Sequence, residues 1–396
     1  MGTLDGLKVL ELGQVVAAPF CGVLLADMGA EVIKVEAPNG DTIRKMGPIK
    51  DGRSLWYLVE NRNKRSVCID LKNDEGKKIV EDLIKYADTM TENFKPGVLE
   101  KLGFTWEKIS ALNPKIILAR MSGYGQTGPY SNRYGYDRIG LGMGGLTYLT
   151  GFPDREPLKP GVSVADYLVG YAAAMGILAA VYERDVIGSG LGQVIDIGLH
   201  EPVLRILEFT ALNYDLTGTI RERVGNAFAG TAPSGHFPAK DGKWLAIACG
   251  NDRIFNRLAK LFDREDWLSD PKFSTNALRV ENRKELDEFT RTWLGDRTAK
   301  ECFEILGDDV PIGPINSIED IFKDKHIAER ENLIEVEDKY WGKVKMQGVV
   351  PKLSRTPGKV NFTGPDLGAD TQDILLNVLG YSCKQVEQLT MNKVIK

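Results

Sequence analysis

The residues with the clearest chemical potential lie in Pro160-Gly161-Val162-Ser163-Val164-Ala165-Asp166-Tyr167-Leu168-Val169-Gly170-Tyr171-Ala172-Ala173-Ala174-Met175-Gly176. An extended run ends at an acid, and a helix rich in Gly and Ala follows. Asp166 falls where a helix N-cap belongs, so its carboxylate can accept bonds from unpaired N–H groups. The helix dipole would favour its ionised form. Gly170, Ala173 and Ala174 follow at helical spacing on the same face. That face is almost bare of side chains, so another backbone can approach it closely. An ionised carboxylate above such a platform suits a nucleophile; the plainer role for the same residue is a helix cap.

The elements that must hold this acid are those of a large chain. At 396 residues it exceeds what one hydrophobic core usually holds, so two domains are expected. The composition, 43% hydrophobic and 27% charged, is globular, and the net charge of −4 carries no long basic block. Nucleic acid and membrane surface are therefore not expected partners. Cys21, Cys68, Cys249, Cys302 and Cys383 are dispersed without a Cys-x-x-Cys pair, which reads as reduced thiols in a cytoplasm. With only His200, His236 and His326 available, no His-rich metal site is expected. No signal peptide or membrane span is expected either, the helix after Asp166 being too short and interrupted at Tyr171 and Glu183.

Leu7–Leu12, a helix to Met28 and Glu31–Glu36 read as a β-α-β unit and imply a parallel sheet. Glu36 stands where a dinucleotide-binding unit keeps its acid, but Gly13 is alone where G-x-G-x-x-G is needed, so NAD is not expected. Pro38–Ser54 reads as loop, Val67–Leu71 as strand, and Asp74–Tyr86 as an amphipathic helix on Ile79, Val80, Leu83 and Ile84. Ala87–Glu92 runs into the turn Asn93-Phe94-Lys95-Pro96-Gly97, and Ile116–Met121 into Ser122-Gly123-Tyr124-Gly125. Ligands of open α/β sheets bind at such strand ends. Tyr134–Gly151 is rich in glycine around Tyr136-Asp137 and reads either as tight packing or as backbone lining a ligand. Gln193–Leu199 is a strand and Pro202–Leu216 a helix. Beyond about residue 225 a smaller α+β domain is expected, to about 325.

Together these segments resemble the family III CoA-transferases, the CaiB/BaiF family of the formyl-CoA and crotonobetainyl-CoA:carnitine CoA-transferase type. The matching stretches are LDGLKVLEL, AAPFCGVLLADMGAEVIKVE, NKRSVCIDLK, TENFKPGVLEKLGFTWEKI, SGYGQTGP, YDRIGLGMGGLTYLTG and VSVADYLVGYAAAMGILAAVYER, then RVGN, APSGHF, DGKWLAIAC and NVLGYS. The resemblance implies an α/β fold with a Rossmann-like large domain built from both chain ends, residues 1–203 and 330–396. A linker (204–224), a small α+β domain (225–325) and a return linker (326–329) complete it, and two ring-like chains interlock as a homodimer. It implies a CoA-transferase that moves CoA from an acyl-CoA to a free carboxylic acid, both small-molecule partners, with no permanently bound cofactor and no metal. Asp166 becomes the expected catalytic residue, attacking the thioester to give a mixed anhydride and CoA thiolate. A second carboxylate then takes the acyl group, and thiolate attack leaves CoA on the incoming acid. Glycines near Asp166 would let backbone N–H groups reach the oxyanion.

By position, the resemblance puts Val16, Ala17, Ile69, Lys72, Asn93, Phe94, Lys95 and Lys101 beside CoA, and Gln14, Tyr136 and Asp137 beside the substrate. Two departures stand against formyl or oxalyl specificity. Ala37-Pro38 replaces an arginine, with Arg44 the nearest cation, and Gly225-Asn226-Ala227-Phe228-Ala229-Gly230 is poorer in glycine than the covering loop of that branch. Arg44, Arg133, Arg138 and Arg221 are the cations that could meet a second carboxylate. The alternative activity on the same fold is an acyl-CoA racemase of the α-methylacyl-CoA type. It needs a His-Asp pair where this chain has Tyr136-Asp137, and a phenol is a poor base near neutral pH. A non-catalytic CoA-binding protein and a nucleotide-dependent oxidoreductase are the remaining readings.

Overall fold

The computed structural model describes residues 2–228 and 230–396; Ala229, within the covering-loop comparison, lies outside them. Packing divides the chain into two units, one of Met1–Leu146, Lys159–Asn213 and Glu329–Lys396, the other of Thr147–Leu158 and Tyr214–Ala328. Residues 147–158 join the second unit rather than the first because Gly225 N–H bonds Gly151 O, Tyr148 OH donates to Glu222, and Arg223 donates to Tyr148 O.

The first unit is a three-layer α/β structure. In chain order its framework is β1 (Lys8–Glu11), α1 (Ala17–Asp27), β2 (Glu31–Glu36), α2 (Leu55–Glu60), β3 (Lys64–Cys68), α3 (Asp74–Tyr86), β4 (Thr89–Glu92), β5 (Ile117–Ser122), α4 (Asp137–Met143), α5 (Val164–Tyr182), β6 (Val194–Gly198) and α6 (His200–Arg205). The six strands pair in the order β3-β2-β1-β4-β5-β6, all parallel. Alternate strand residues supply two cores. Leu10, Ile33, Val67, Met90 and Leu118 pack with α3 and with Ile374, Leu375 and Val386 on one face. Val9, Val32, Ile117 and Ala119 pack with α1 and α5 on the other. The chain runs from β1 outward to β3, then returns to the other side of β1 for β4. The topological switch therefore falls between β1 and β4, where ligands of open α/β sheets bind beyond the strand ends.

Several sequence expectations need correction. The 38–54 stretch holds a 3-10 turn at Thr42–Lys45 and a small hairpin of Ile49–Lys50 with Arg53–Ser54. The helix expected over Pro202–Leu216 is broken after α6, with Glu208 at φ +55 before the next helix, Thr210–Thr217. The helix after Asp166 is not too short for a membrane span. A π-helical segment extends it to Val164–Ile187, long and apolar enough by length and composition alone. One face of α5 (Ala165, Val169, Gly170, Ala173, Ala174, Ile177 and Ala180) is nevertheless buried in the protein, as in a core helix.

In the second unit β7 (Ser234–Pro238), β8 (Trp244–Ala248) and β9 (Ile312–Pro314) form an antiparallel sheet. Helices Asp252–Leu261, Arg283–Gly295 and Ala299–Leu306 close its core around Trp267, Phe255 and Phe273. The five cysteines are free thiols, four of them buried.

Candidate active site

The site begins at the turn after β1, which buried charges hold in an uncommon shape. Lys34 donates to Gly13 O at 2.8 Å and pairs with Glu11 and Asp41, each at 2.9 Å. Lys64 pairs with the other oxygen of Glu11 at 2.9 Å and donates to Pro19 O at 2.7 Å. Both Asp41 carboxyl oxygens accept Val15 N–H, at 3.1 and 3.2 Å. Val15 has φ +65°, a left-handed conformation that a β-branched residue adopts at a cost of about 1–3 kcal/mol. The surrounding ions fix it. Burial lowers the Lys64 ammonium, whereas Glu11 and Asp41 outweigh burial at Lys34 and raise it.

Asn93, at the end of β4, clasps the same turn. Its Oδ1 accepts Gln14 N–H and its Nδ2 donates to Gln14 O, both at 2.8 Å. Val16 then caps α1 without a side-chain bond, leaving the helix start uncapped by any acid, a setting that favours anions. The structure thus brings Gln14, Val16, Ala17 and Asn93 together at the switch point, with Phe94 and Lys95 following Asn93. Phe94 N–H bonds Glu92, and Lys95 Nζ lies 4.2 Å from the centroid of the Tyr134 ring. Ile69 and Lys72 lie apart, beyond edge strand β3. The Ile69 side chain is wholly buried in the core, while Lys72 is exposed. Lys101 is exposed at the end of the short helix Val98–Lys101.

Two of the candidate cations and acids have structural partners. Glu36 accepts from Arg44, Tyr57, Ser66 and Asp41 N–H. Burial raises its pKa, but the Arg44 bonds and the Lys34 charge outweigh that and hold it at about 2. Arg44 is thus committed to Glu36 and Tyr57, and the acid at the end of β2 is a buttress of the fold.

Asp166 is the third residue of α5, not its N-cap; Ser163 occupies that position and makes no side-chain cap bond. The cap-like bond comes from Asp137, whose Oδ1 accepts Ala165 N–H at 2.9 Å. Nor is Asp166 held low. Burial, then the charges of Asp137 and Glu60, push its pKa up to about 7, against a downward pull from Lys159. The dipole argument fails because desolvation and two facing acids outweigh it. Glu60, at the end of α2, is buried, raised by that burial, and accepts Tyr167 OH at 2.8 Å. With Tyr167, Phe20, Tyr171 and Val162 it lines a cavity of about 360 Å³.

Backbone contacts set this arrangement. An added Cβ at Gly170, one turn beyond Asp166, would lie 3.1 Å from Ala17 O, so α5 meets the first turn of α1 there. Gly123 and Gly135 touch in the same way, a Cβ on either falling 2.7 Å from the other's Cα. They fix the segment that presents Tyr136, 72% exposed, and the buried Asp137. Gly140 and Gly144, by contrast, face Leu199 and Val203 and serve packing. Glu60 and Lys159 carry little signal in the sequence. Glu60 ends an apolar hexapeptide without helical period. Lys159 stands directly before the Pro160-Gly161 run that leads to Asp166. Among the described residues no cluster of His, Cys, Asp and Glu could hold a metal ion.

A parallel sheet with turns gathered at its switch point, and a buried carboxyl raised to about 7 on the helix that meets the first turn of α1, has the form of an α/β enzyme. The CoA-transferase family III model matches residues 4–371. The chain is 44% identical over 396 residues to the succinyl-CoA–D-citramalate CoA-transferase of Chloroflexus aurantiacus, covering 99% of this chain and 98% of that protein. It is 35% identical over 395 residues to the human succinyl-CoA:glutarate CoA-transferase, covering 99% and 90%. A CaiB/BaiF family protein from Brucella suis superposes with a TM-score of 0.85 at 36% identity, over 95% of this chain and 99% of that one. The chain belongs to CoA-transferase family III, and it is an enzyme that transfers CoA between an acyl-CoA and a carboxylic acid.

Proposed function

We propose that Asp166 is the nucleophile of this transfer and that the thiol end of CoA reaches it from the turn Gln14–Ala17. The observation that carries the reading is the Gly170–Ala17 approach, which ties the carboxyl and the ligand turn together through one helix contact. Asp166 attacks the thioester carbon; a C–O bond forms, the C–S bond breaks, and CoA leaves as thiolate. The thiolate then attacks the Asp166 carbonyl carbon. This releases the donor's acid as a carboxylate and leaves an Asp166 thioester. The incoming carboxylate takes the same two steps in reverse and departs as the new acyl-CoA, with Asp166 again free. This order needs room for one acid at a time, unlike direct acyl transfer between two acids. Asn93, Phe94 and Lys95 line the approach, Tyr136 faces the acyl group, and Asp137 fixes the start of α5. Ile69 contributes main chain, Lys72 and Lys101 charge to the nucleotide end.

The substrates in this reading are dicarboxylic acids with a succinyl-CoA donor. Its support is the activities of the relatives, which pair succinyl-CoA with citramalate, malate or glutarate. We further propose a homodimer. Its support is the outer side of the Val164–Ile187 helix, where Tyr171, Met175, Leu178, Tyr182, Val186 and Ile187 are all exposed apolar groups.

The test is trapping. Incubation with succinyl-CoA and then hydroxylamine should leave a hydroxamate on Asp166, found by peptide mapping. A hydroxamate on another acid, or none with a panel of acyl-CoAs that support turnover, overturns the assignment. A sedimentation mass of one chain at micromolar concentration overturns the dimer.

A further inference from the structure

The start of α5 gathers acids, and one cation faces them. Asp137 Oδ1 is taken by Ala165 N–H, while Asp137 Oδ2 is buried without a hydrogen-bond partner. Lys159 Nζ stands 3.7 Å from that oxygen. It also donates to Pro160 O at 2.7 Å and to Val162 O at 3.2 Å. An ammonium has three donors. Two of them pin the group to the loop leading into the helix, and the third remains for the acids.

We infer that Lys159 is a positioning residue for CoA transfer: its ammonium, anchored on the Pro160 and Val162 carbonyls, holds the Asp137 and Asp166 carboxyls together so that Asp166 is the anion that attacks. The inference rests on Asp166 being the nucleophile. Three charged groups bear on Asp166: Asp137 from α4, Glu60 from α2 and Lys159 from the preceding loop; the Tyr167 hydroxyl, bonded to Glu60, is uncharged. The two carboxyls oppose a negative charge there, and the Lys159 ammonium favours it. A buried carboxyl beside two others tends to keep its proton, and a protonated carboxyl is no nucleophile. Lys159 also solves a second problem. Acylation carries the negative charge from Asp166 to the departing thiolate, and the next carboxylate must then enter beside Asp137 and Glu60. A fixed ammonium offsets that repulsion at each entry.

The test compares Lys159→Gln, Lys159→Met and Lys159→Arg in the full chain, reading kcat/KM against pH. Gln keeps donors for the two carbonyls and removes the charge; Arg keeps the charge. A nearby opposite charge lowers a carboxyl pKa by about 1–3 units, and a Lys 30% exposed belongs at the lower end. The acidic limb should therefore rise by about one pH unit in Gln and Met, a loss of about tenfold at pH 6 that nearly vanishes at pH 9. Arg should return the limb to its wild-type position. An equal loss at every pH in a Gln or Met variant that melts like wild type overturns the inference, because it marks Lys159 as a loop tether only. A limb that Arg fails to restore overturns it as well. Hydroxamate trapping on the wild-type chain separates the two ideas. With no hydroxamate on Asp166 the nucleophile assignment fails; with the hydroxamate formed and the limb unmoved, only the role of Lys159 fails.

Discussion

Replacing Gly170 by alanine sets two calculable effects against each other. The added methyl would lie 2.8 Å from Phe20 Cδ1, 3.1 Å from Ala17 O and 3.3 Å from Cys21 N. The Phe20 ring is wedged edge-on against Tyr167 and Tyr171, at centroid distances of 4.7 and 5.2 Å, so it has little room to turn. The Ala17 carbonyl is main chain and moves only with the first turn of α1. Relief therefore requires α1 and α5 to part by a few tenths of an ångström. Helix propensity favours alanine by about 1 kcal/mol. Overpacking costs roughly 1–3 kcal/mol. The net is a loss of about 0–2 kcal/mol, a modest fall in melting temperature. The effect on rate is of similar size. A misplacement of about 1 Å costs roughly a hundredfold in a reaction that depends on near-attack geometry, so a third of that displacement costs roughly fivefold. Thermal melting and steady-state transfer from succinyl-CoA to a dicarboxylate measure both quantities on one preparation. A variant more stable by about the full propensity gain, with undiminished kcat/KM, would refute the reasoning, since it would show slack in the contact between α5 and the first turn of α1.

Other outcomes can be stated more briefly. Asp166→Asn should abolish transfer yet keep CoA binding, measured by calorimetry; turnover near the wild-type rate would remove Asp166 from the chemistry. Because Asp166 is raised to about 7, the folded chain holds a proton that the unfolded chain has lost between the ordinary carboxyl pKa and that value. Stability therefore falls as pH rises through this window. Asp166→Asn should melt above wild type at pH 8 and lose that advantage toward pH 4, and activity should climb through pH 7. Lys64→Met takes from buried Glu11 one of its two ion-pair partners, Lys34 remaining, so the loss should stay below the roughly 3–5 kcal/mol of a fully stranded charge, read as a lower denaturant midpoint. Asn93→Ala frees the Gln14 backbone, so KM for acyl-CoA should rise more than kcat falls; unchanged KM would separate the clasp from CoA binding.

Much of the framework was legible because its signals are local. The helix Asp74–Tyr86 shows its stripe within three turns, and β1, α1 and β2 are bounded by Gly13 and Gly29. The strand expected at Val67–Leu71 is Lys64–Cys68, because its leading residues look like surface charge in sequence, yet Lys64 is buried in the ion network. The nucleophile candidate was legible by type and by the small residues that follow it. Its charge state was not. The groups that raise it, Glu60 and Asp137, arrive from α2 and α4 and are brought close only by folding. The strained Val15 was equally hidden, since its conformation is imposed by Asp41, Lys34 and Asn93 rather than by its own neighbours.

The edge of the sheet has a consequence for biosynthesis. Edge strand β3 finds its partners at the far end of the chain. Ser66 N–H bonds Asp370, 304 residues on, Arg65 reaches Asp373, and Asp70 N–H bonds Val394 O. A ribosome adds about 5–20 residues per second, so this edge waits roughly 15–60 s after its own synthesis before those partners emerge. For that time the outer edge of β3 and the apolar face meant for Ile374, Leu375 and Val386 are open to other chains. Yield during expression should therefore respond to translation speed and to holding chaperones more than the stability of the finished enzyme would indicate.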